Sequence, residues 1–78
     1  ETIQSSPLTP RELEIVAQMA KGKRNKEIAS ALKISESTVK NHISNIFEKL
    51  DIYDRIPVVL LAIHSGWIKY DGLKESKP

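Results

Sequence analysis

Short polar side chains and one lysine share a face of the segment 36–50, which has the apolar spacing of an amphipathic helix. Lys40, Asn41 and Ser44 lie in the first half of this face. An asparagine amide can pair with two edge atoms of adenine, and a lysine can donate to the acceptors of guanine. A helix that reads DNA enters the major groove with its N-terminal half leading. These three residues are therefore predicted base contacts in duplex DNA.

Polar side chains around this face and near predicted helix starts are candidate DNA-backbone contacts: Asn25, Lys26, Ser37, Thr38, Asn45 and Lys49. A helix N-terminus presents unpaired backbone N–H groups to anions, which suits phosphate. Simpler roles stay open for some of these side chains. Asn25 could serve only as a helix cap, and Lys49 could be a solvated cation.

The other side of the segment 36–50 is apolar and predicts burial. On a helical wheel, five side chains fall on one narrow face: Val39, Ile43, Ile46, Phe47 and Leu50. This helix is thus expected to turn one face to a core and the opposite face to a partner.

Composition and charge limit the class of protein. The 78 residues fit one domain, and the absence of cysteine excludes disulfides and thiolate metal sites. Net charge is only +2, but residues 21–50 carry seven basic and three acidic side chains. This local excess favours a phosphate-bearing partner, although a solvated lysine-rich surface would look the same. No apolar run approaches the ~20 residues of a membrane span, and no signal peptide is recognised, so no membrane partner is expected.

Capping signals define the first helix, over 10–21. Thr9 and Glu12 have the spacing of a capping box, and Pro10 falls at the first helical position, where its missing N–H costs nothing. Gly22 is predicted to end the helix in a left-handed conformation.

Three more helices are predicted over 26–32, 36–50 and 55–65, with N-caps at Asn25, Ser35 and Asp54. Only three residues join the second helix to the third, so the two must cross steeply, as in a helix-turn-helix. That turn lacks a glycine, and Lys33 is expected to adopt a strained conformation. The prediction is an all-α, compact four-helix domain over 8–68, with a linker remnant at 1–7 and a polar tail at 69–78.

Several blocks of the sequence together resemble a known family. They are Leu8-Thr9-Pro10-Arg11-Glu12-Leu13-Glu14-Ile15-Val16, Gly22, Asn25-Lys26-Glu27-Ile28-Ala29, Ile34-Ser35-Glu36-Ser37-Thr38-Val39-Lys40-Asn41-His42-Ile43, Lys49-Leu50, Asp54-Arg55 and Gly66. In order and spacing they resemble the LuxR/FixJ/NarL-type C-terminal DNA-binding domain, over about residues 8–68. Pro57 departs from the family pattern, which usually has a polar helix former there.

The resemblance implies a four-helix fold, with helices 2 and 3 as the helix-turn-helix and binding as a dimer to two half-sites. Positions matching Lys40, Asn41 and Ser44 commonly face bases in such domains, and positions matching Thr38 and Lys49 tend to lie near phosphates. The resemblance further implies a bacterial, cytoplasmic transcription regulator that could contact RNA polymerase. Many relatives are two-component response regulators with a preceding receiver domain, and others carry a small-molecule sensor domain instead.

The fourth predicted helix is apolar almost all round. On the wheel, Val58, Leu61 and Ala62 share one face. The second face is a predicted dimer interface formed by Ile56, Val59, Leu60 and Ile63. Two apolar faces on a surface helix imply a partner, although Trp67 and Ile68 could cover the second face instead.

No pattern in the chain indicates catalysis. There is no glycine-rich phosphate loop and no nucleophile signature, and the two histidines, His42 and His64, lack further metal ligands at suitable spacing. We expect no enzyme activity, cofactor, metal or small-molecule ligand in this domain. The competing interpretations use the same fold as a sigma-factor-like promoter-contacting module or as a protein-interaction bundle.

Overall fold

The computed structural model describes residues 6–69, which form four helices: α1 Pro10–Ala20, α2 Asn25–Leu32, α3 Glu36–Leu50 and α4 Arg55–His64. No strand occurs in this part of the chain, which confirms the predicted all-α class. Most of the predicted linker remnant and of the polar tail, at 1–5 and 70–78, lies outside the described residues. None of the four helices is long and apolar enough to cross a bilayer.

The start of α1 has the predicted capping box. The Thr9 hydroxyl accepts a hydrogen bond from the Glu12 backbone N–H at 3.1 Å, and the Glu12 carboxylate accepts one from the Thr9 backbone N–H at 2.9 Å. Two backbone N–H groups that the first helical turn cannot pair are thereby satisfied. Gly22 follows the helix with φ +81°, a conformation that an L side chain would resist.

The start of α2 differs from the prediction. Asn25 was predicted as the N-cap, but it is the first helical residue and Arg24 occupies the cap position. The Glu27 carboxylate accepts a hydrogen bond from the Arg24 backbone N–H at 2.7 Å, so a side chain from within the helix does the capping. The Asn25 side chain is thereby released for another contact.

The connection between α2 and α3 is the predicted tight turn. Lys33 ends α2 in the left-handed region, with φ 60° and ψ 45°. This is the strained conformation expected for a turn that contains no glycine. Ser35 then caps α3, because its hydroxyl accepts a hydrogen bond from the Thr38 backbone N–H at 3.0 Å. This reversal sets α3 across α2, which is the helix-turn-helix arrangement.

A single core lies where the four helices meet. Its fully buried members include Ile15 and Val16 of α1, Ile28 of α2, Val39 and Ile46 of α3, and Val58 and Ala62 of α4. Helix α1 is the central element, since it packs against each of the other three. Helix α4 packs mainly on α1, whereas α2 and α3 pack mainly on each other.

Candidate nucleic-acid interface

Helix α3 has the two faces that the wheel predicts. Val39 and Ile46 are fully buried, whereas Lys40, Asn41 and Ser44 are exposed on the other side. We call these last three residues the reading face. None of them makes a side-chain hydrogen bond or ion pair within residues 6–69, so their polar groups are available to a partner. The buried side fixes the helix, and the fold thus holds the reading face outward.

The N-terminal turn of α3 adds hydroxyl groups beside the reading face. Ser37 is exposed, and Thr38 is half-buried with its hydroxyl 2.8 Å from that of Ser35. Asn45 lies exposed next to Ser44, and Lys26 is exposed in the first turn of α2. These positions suit phosphate contacts, because hydroxyls, amides and ammonium groups are the usual protein ligands of the DNA backbone.

The other end of α3 is tied to α1 by a contact that local sequence patterns do not predict. The Lys49 ammonium lies 2.7 Å from the Glu12 carboxylate, whose side chain is only 4% exposed. The same carboxylate oxygen of Glu12 therefore accepts hydrogen bonds from the Thr9 backbone N–H, at the start of α1, and from Lys49 of α3. Lys49 was predicted to contact DNA phosphate, and the structure gives it this internal partner.

The environment of Glu12 favours its charged form. Burial alone would raise the pKa of the Glu12 carboxyl, but the Lys49 hydrogen bond and charge and the Thr9 hydrogen bonds outweigh that effect and lower its pKa. Because the Glu12 carboxylate is ionised at neutral pH, its charge-assisted hydrogen bond with Lys49 is maintained and joins α1 to α3.

Asn25 also has an internal partner. Its side-chain oxygen accepts a hydrogen bond from one terminal nitrogen of Arg55, and the other terminal nitrogen donates to the Lys23 carbonyl at 3.2 Å. We call these three groups the clasp. It joins the first residue of α4 to the first residue of α2 and to the loop before it.

One sequence signal could have pointed to Arg55. It is the only Lys or Arg between Lys49 and Lys69, and it stands at the first position of α4. A cation at a helix N-terminus opposes the helix dipole, so local helix energetics give no reason for it. The tertiary contacts with Lys23 and Asn25 give such a reason.

The second face of α4 is open to solvent at its centre. Ile56 is 69% exposed and Leu60 is 60% exposed, whereas Val59 and Ile63 are half-buried. Trp67 and Ile68 pack against the core, and they leave Ile56 and Leu60 uncovered. The sequence alone did not decide whether Trp67 and Ile68 would cover the second face of α4.

The two histidines lie on different helices. His42 is half-buried at the edge of the apolar face of α3, and His64 is exposed at the end of α4. Among residues 6–69, no group of three potential ligand side chains gathers as a metal site would require.

Comparisons with known proteins agree with this geometry. A family model described as "Bacterial regulatory proteins, luxR family" matches residues 6–62. The transcriptional regulatory protein DegU of Brevibacillus brevis is 48% identical over 62 residues, which are 80% of this chain and 26% of that protein. DesR of Bacillus subtilis (strain 168), another transcriptional regulatory protein, is 44% identical over 66 residues, covering 85% of this chain and 33% of DesR.

A response regulator and a solved structure are also similar. The response regulator protein VraR of Staphylococcus aureus (strain Mu3 / ATCC 700698) is 48% identical over 80% of this chain and 30% of VraR. The solved structure of the transcription factor GerE superposes with a TM-score of 0.73 at 42% identity, covering 80% of this chain and 92% of GerE. The chain thus spans between 26% and 33% of these three curated relatives but nearly the whole of GerE.

Proposed function

The chain belongs to the luxR family of bacterial regulatory proteins, whose helix-turn-helix domain binds DNA to regulate transcription, and we propose that it reads a specific duplex sequence through α3. The observation that carries this proposal is the reading face. Lys40, Asn41 and Ser44 are exposed and have no side-chain partner within residues 6–69, on a helix whose opposite side carries the buried Val39, Ile43 and Ile46. Such a helix can enter a major groove ~12 Å wide with these side chains directed at the bases.

The proposal assigns separate roles to base and phosphate contacts. The reading face contacts base edges, and Lys26, Ser37, Thr38 and Asn45 contact phosphates around it. Thr38 can bind phosphate beside its bond to Ser35, because a hydroxyl has one donor and two acceptor sites. The phosphate contacts of Asn25 and Lys49 stay predictions, because the Asn25 oxygen is bound to Arg55 and the Lys49 ammonium to Glu12. Lysine has three N–H donors, so Lys49 retains the capacity for a second contact.

Salt dependence of duplex binding tests the proposal. Each phosphate that a protein neutralises adds about −0.9 to the slope of log affinity against log salt concentration. We expect a steep negative slope and a preference for one sequence after selection from random duplexes. Absence of duplex binding at low salt, together with tight binding to a protein, would favour the interaction-bundle alternative.

We also propose that the functional unit is a homodimer through α4. The support is the exposed apolar pair Ile56 and Leu60, flanked by the half-buried Val59 and Ile63. An α4 pair on a two-fold axis would place two copies of α3 about one DNA turn apart, ~34 Å. That spacing suits two half-sites on one side of the duplex.

The role of the longer protein is inferred from its relatives. DegU, DesR and VraR are about three to four times longer than the matched segment, and VraR is named a response regulator. We propose that this chain is the DNA-binding effector domain of a cytoplasmic two-component response regulator that acts with RNA polymerase at promoters. Expression of the full-length protein with and without phosphorylation, followed by operator binding, tests that assignment.

A further inference from the structure

The clasp connects two parts of the domain that otherwise share little packing. Helix α4 packs mainly on α1, and the helix-turn-helix packs on α1 from elsewhere. Between α4 and the loop before α2 runs a groove of about 740 Å³, and Lys23, Asn25 and Arg55 all line it. Side chains do not fill this space, so hydrogen bonds rather than apolar packing join α4 to α2 here.

The chemistry of arginine suits a contact that fixes an angle. A guanidinium is planar and holds its N–H donors in a rigid fork, so two acceptors at different places fix its orientation as well as its position. Here the acceptors are the Lys23 carbonyl and the Asn25 amide oxygen, one before α2 and one within it. Rotation of α4 relative to α2 would break at least one of the two bonds.

We propose that Arg55 is a positioning residue, which sets the angle between the dimer helix α4 and the helix-turn-helix so that two recognition helices match two half-sites. This inference rests on the proposed function, namely DNA binding by an α4 dimer. Arg55 touches neither bases nor phosphates in this scheme. Its effect on DNA is confined to complexes in which both protomers are bound.

A small change in the angle between α4 and the helix-turn-helix would displace the recognition helix noticeably, because that helix lies far from the dimer axis. Each recognition helix lies ~17 Å from the dimer axis, half of the ~34 Å between half-sites. A rotation of about 10° at the α4 contact would shift each helix by about 3 Å, close to the rise of one base pair. Loss of the clasp would therefore misalign the second recognition helix with its half-site. Binding of one protomer to a single half-site would not change.

Comparison of one half-site with two tests the inference. Duplexes with one or two copies of the selected half-site are titrated with the 78-residue chain and with Arg55→Met, at a temperature at which circular dichroism shows both folded. We expect Arg55→Met to bind one half-site within about twofold of the original chain. On two half-sites it should lose about tenfold or more, because avidity depends on simultaneous engagement.

A second measurement is the dependence of affinity on the spacing between half-sites. A general loss of stability would not change this dependence. Adding or removing one base pair should lower the DNA affinity of the original chain sharply and that of Arg55→Met only slightly, because the dimer without the clasp no longer enforces one spacing.

Arg55→Lys keeps the charge but lacks the planar fork, so we expect an intermediate loss of affinity on two half-sites. If Arg55→Met does not fold, Arg55→Lys carries the same comparison.

Two controls isolate the clasp. Arg11→Met removes a cation from the exposed surface of α1 and should leave the ratio of two-site to one-site affinity unchanged. Asn25→Ala should lower that ratio in the original chain but not in the Arg55→Met background, because partners in one contact are not additive.

The outcomes separate this inference from its premises. Failure of the original chain to bind one half-site would overturn the proposed function itself. Equal affinity of the original chain for one and two half-sites would overturn the dimer premise, and the inference with it. Equal losses of Arg55→Met on both duplexes, or unchanged spacing preference, would overturn the positioning role alone.

Discussion

Asn41 is the residue whose change tests base reading most directly. It is exposed at the centre of the reading face and makes no side-chain hydrogen bond or ion pair within the described part of the chain. We expect Asn41→Ala to relax the preference at one position per half-site and to cost ~1–3 kcal/mol for the preferred base there. Competition among duplexes that differ at single positions measures both effects.

Asn45→Ala is the matched control, because it removes the same amide from the same helix at a proposed phosphate contact. It should weaken all duplexes by similar factors and leave the sequence preference intact. A uniform loss with Asn41→Ala as well would show that Asn41 holds only the backbone.

Glu12 carries the clearest pH dependence. Its pKa is lowered in the folded chain, so its ionised form stabilises the fold above the ordinary pKa of 4.5, and that stability is lost as the pH falls through the lowered value. Glu12→Gln should cost roughly 1–3 kcal/mol at pH 7 and flatten the decline of stability on acidification. Thermal unfolding between pH 7 and pH 3 measures this.

Glu14→Gln serves as the comparison for Glu12→Gln. Glu14 lies on the same helix but is exposed, and its ion pair with Arg11 is at the surface. Surface pairs of this kind contribute little, so its acid profile should follow that of the original chain. Identical profiles for both variants would contradict a special role for the Glu12–Lys49 contact.

At the scale of elements, the turn between α2 and α3 holds backbone strain. Lys33 is exposed and has φ 60°, which costs an L side chain roughly 1–2 kcal/mol. We expect Lys33→Gly to raise the free energy of unfolding by about 0.5–1 kcal/mol, because relief of strain exceeds the entropy that glycine adds to the unfolded chain. Urea unfolding measures the change.

Lys33→Ala removes the same charge but keeps the Cβ atom, so it should give no such gain. If both variants stabilise the domain equally, the effect comes from charge and the strain argument fails.

The starts of α1 and α3 and the end of α1 were predictable to within one residue, because the determining contacts are local. The caps Thr9 and Ser35 act on residues three positions away, and Gly22 acts on the turn that it follows, so one short window contains cause and effect. The N-cap of α2 was misassigned because Asn25 has a strong intrinsic preference for that position, whereas in the structure Glu27 caps the helix and the Asn25 side chain binds Arg55.

Contacts between distant elements were not predictable from patterns. Lys49 and Glu12 are 37 positions apart, and Arg55 and Asn25 are 30 apart. Whether such groups meet depends on how the helices cross, which helical periodicity does not specify. The reading face was predictable because burial of the opposite side determines which way it points.

At the scale of the whole molecule, the proposed homodimer depends on the open face of α4. Leu60 is 60% exposed, so Leu60→Glu should leave the monomer folded while the charge prevents a second copy from packing. We expect affinity for two half-sites to fall about tenfold or more as avidity is lost. Sedimentation with duplex DNA and circular dichroism measure assembly and fold.

Leu60→Lys distinguishes packing from simple charge repulsion by DNA. If Leu60 lies in a dimer interface, both substitutions weaken binding to two half-sites. If only the field at the DNA matters, lysine should strengthen binding where glutamate weakens it.

The outward side of α3 has a consequence for how such domains diversify. Because Lys40, Asn41 and Ser44 are exposed and make no side-chain hydrogen bond or ion pair within the described fold, replacing any of them with a residue other than glycine or proline should change its stability by no more than about 0.7 kcal/mol. After gene duplication, one copy could therefore acquire a new operator through a few point mutations, with every intermediate still folded. The same independence would let an engineer randomise these three positions in a library and select new specificities without redesigning the scaffold.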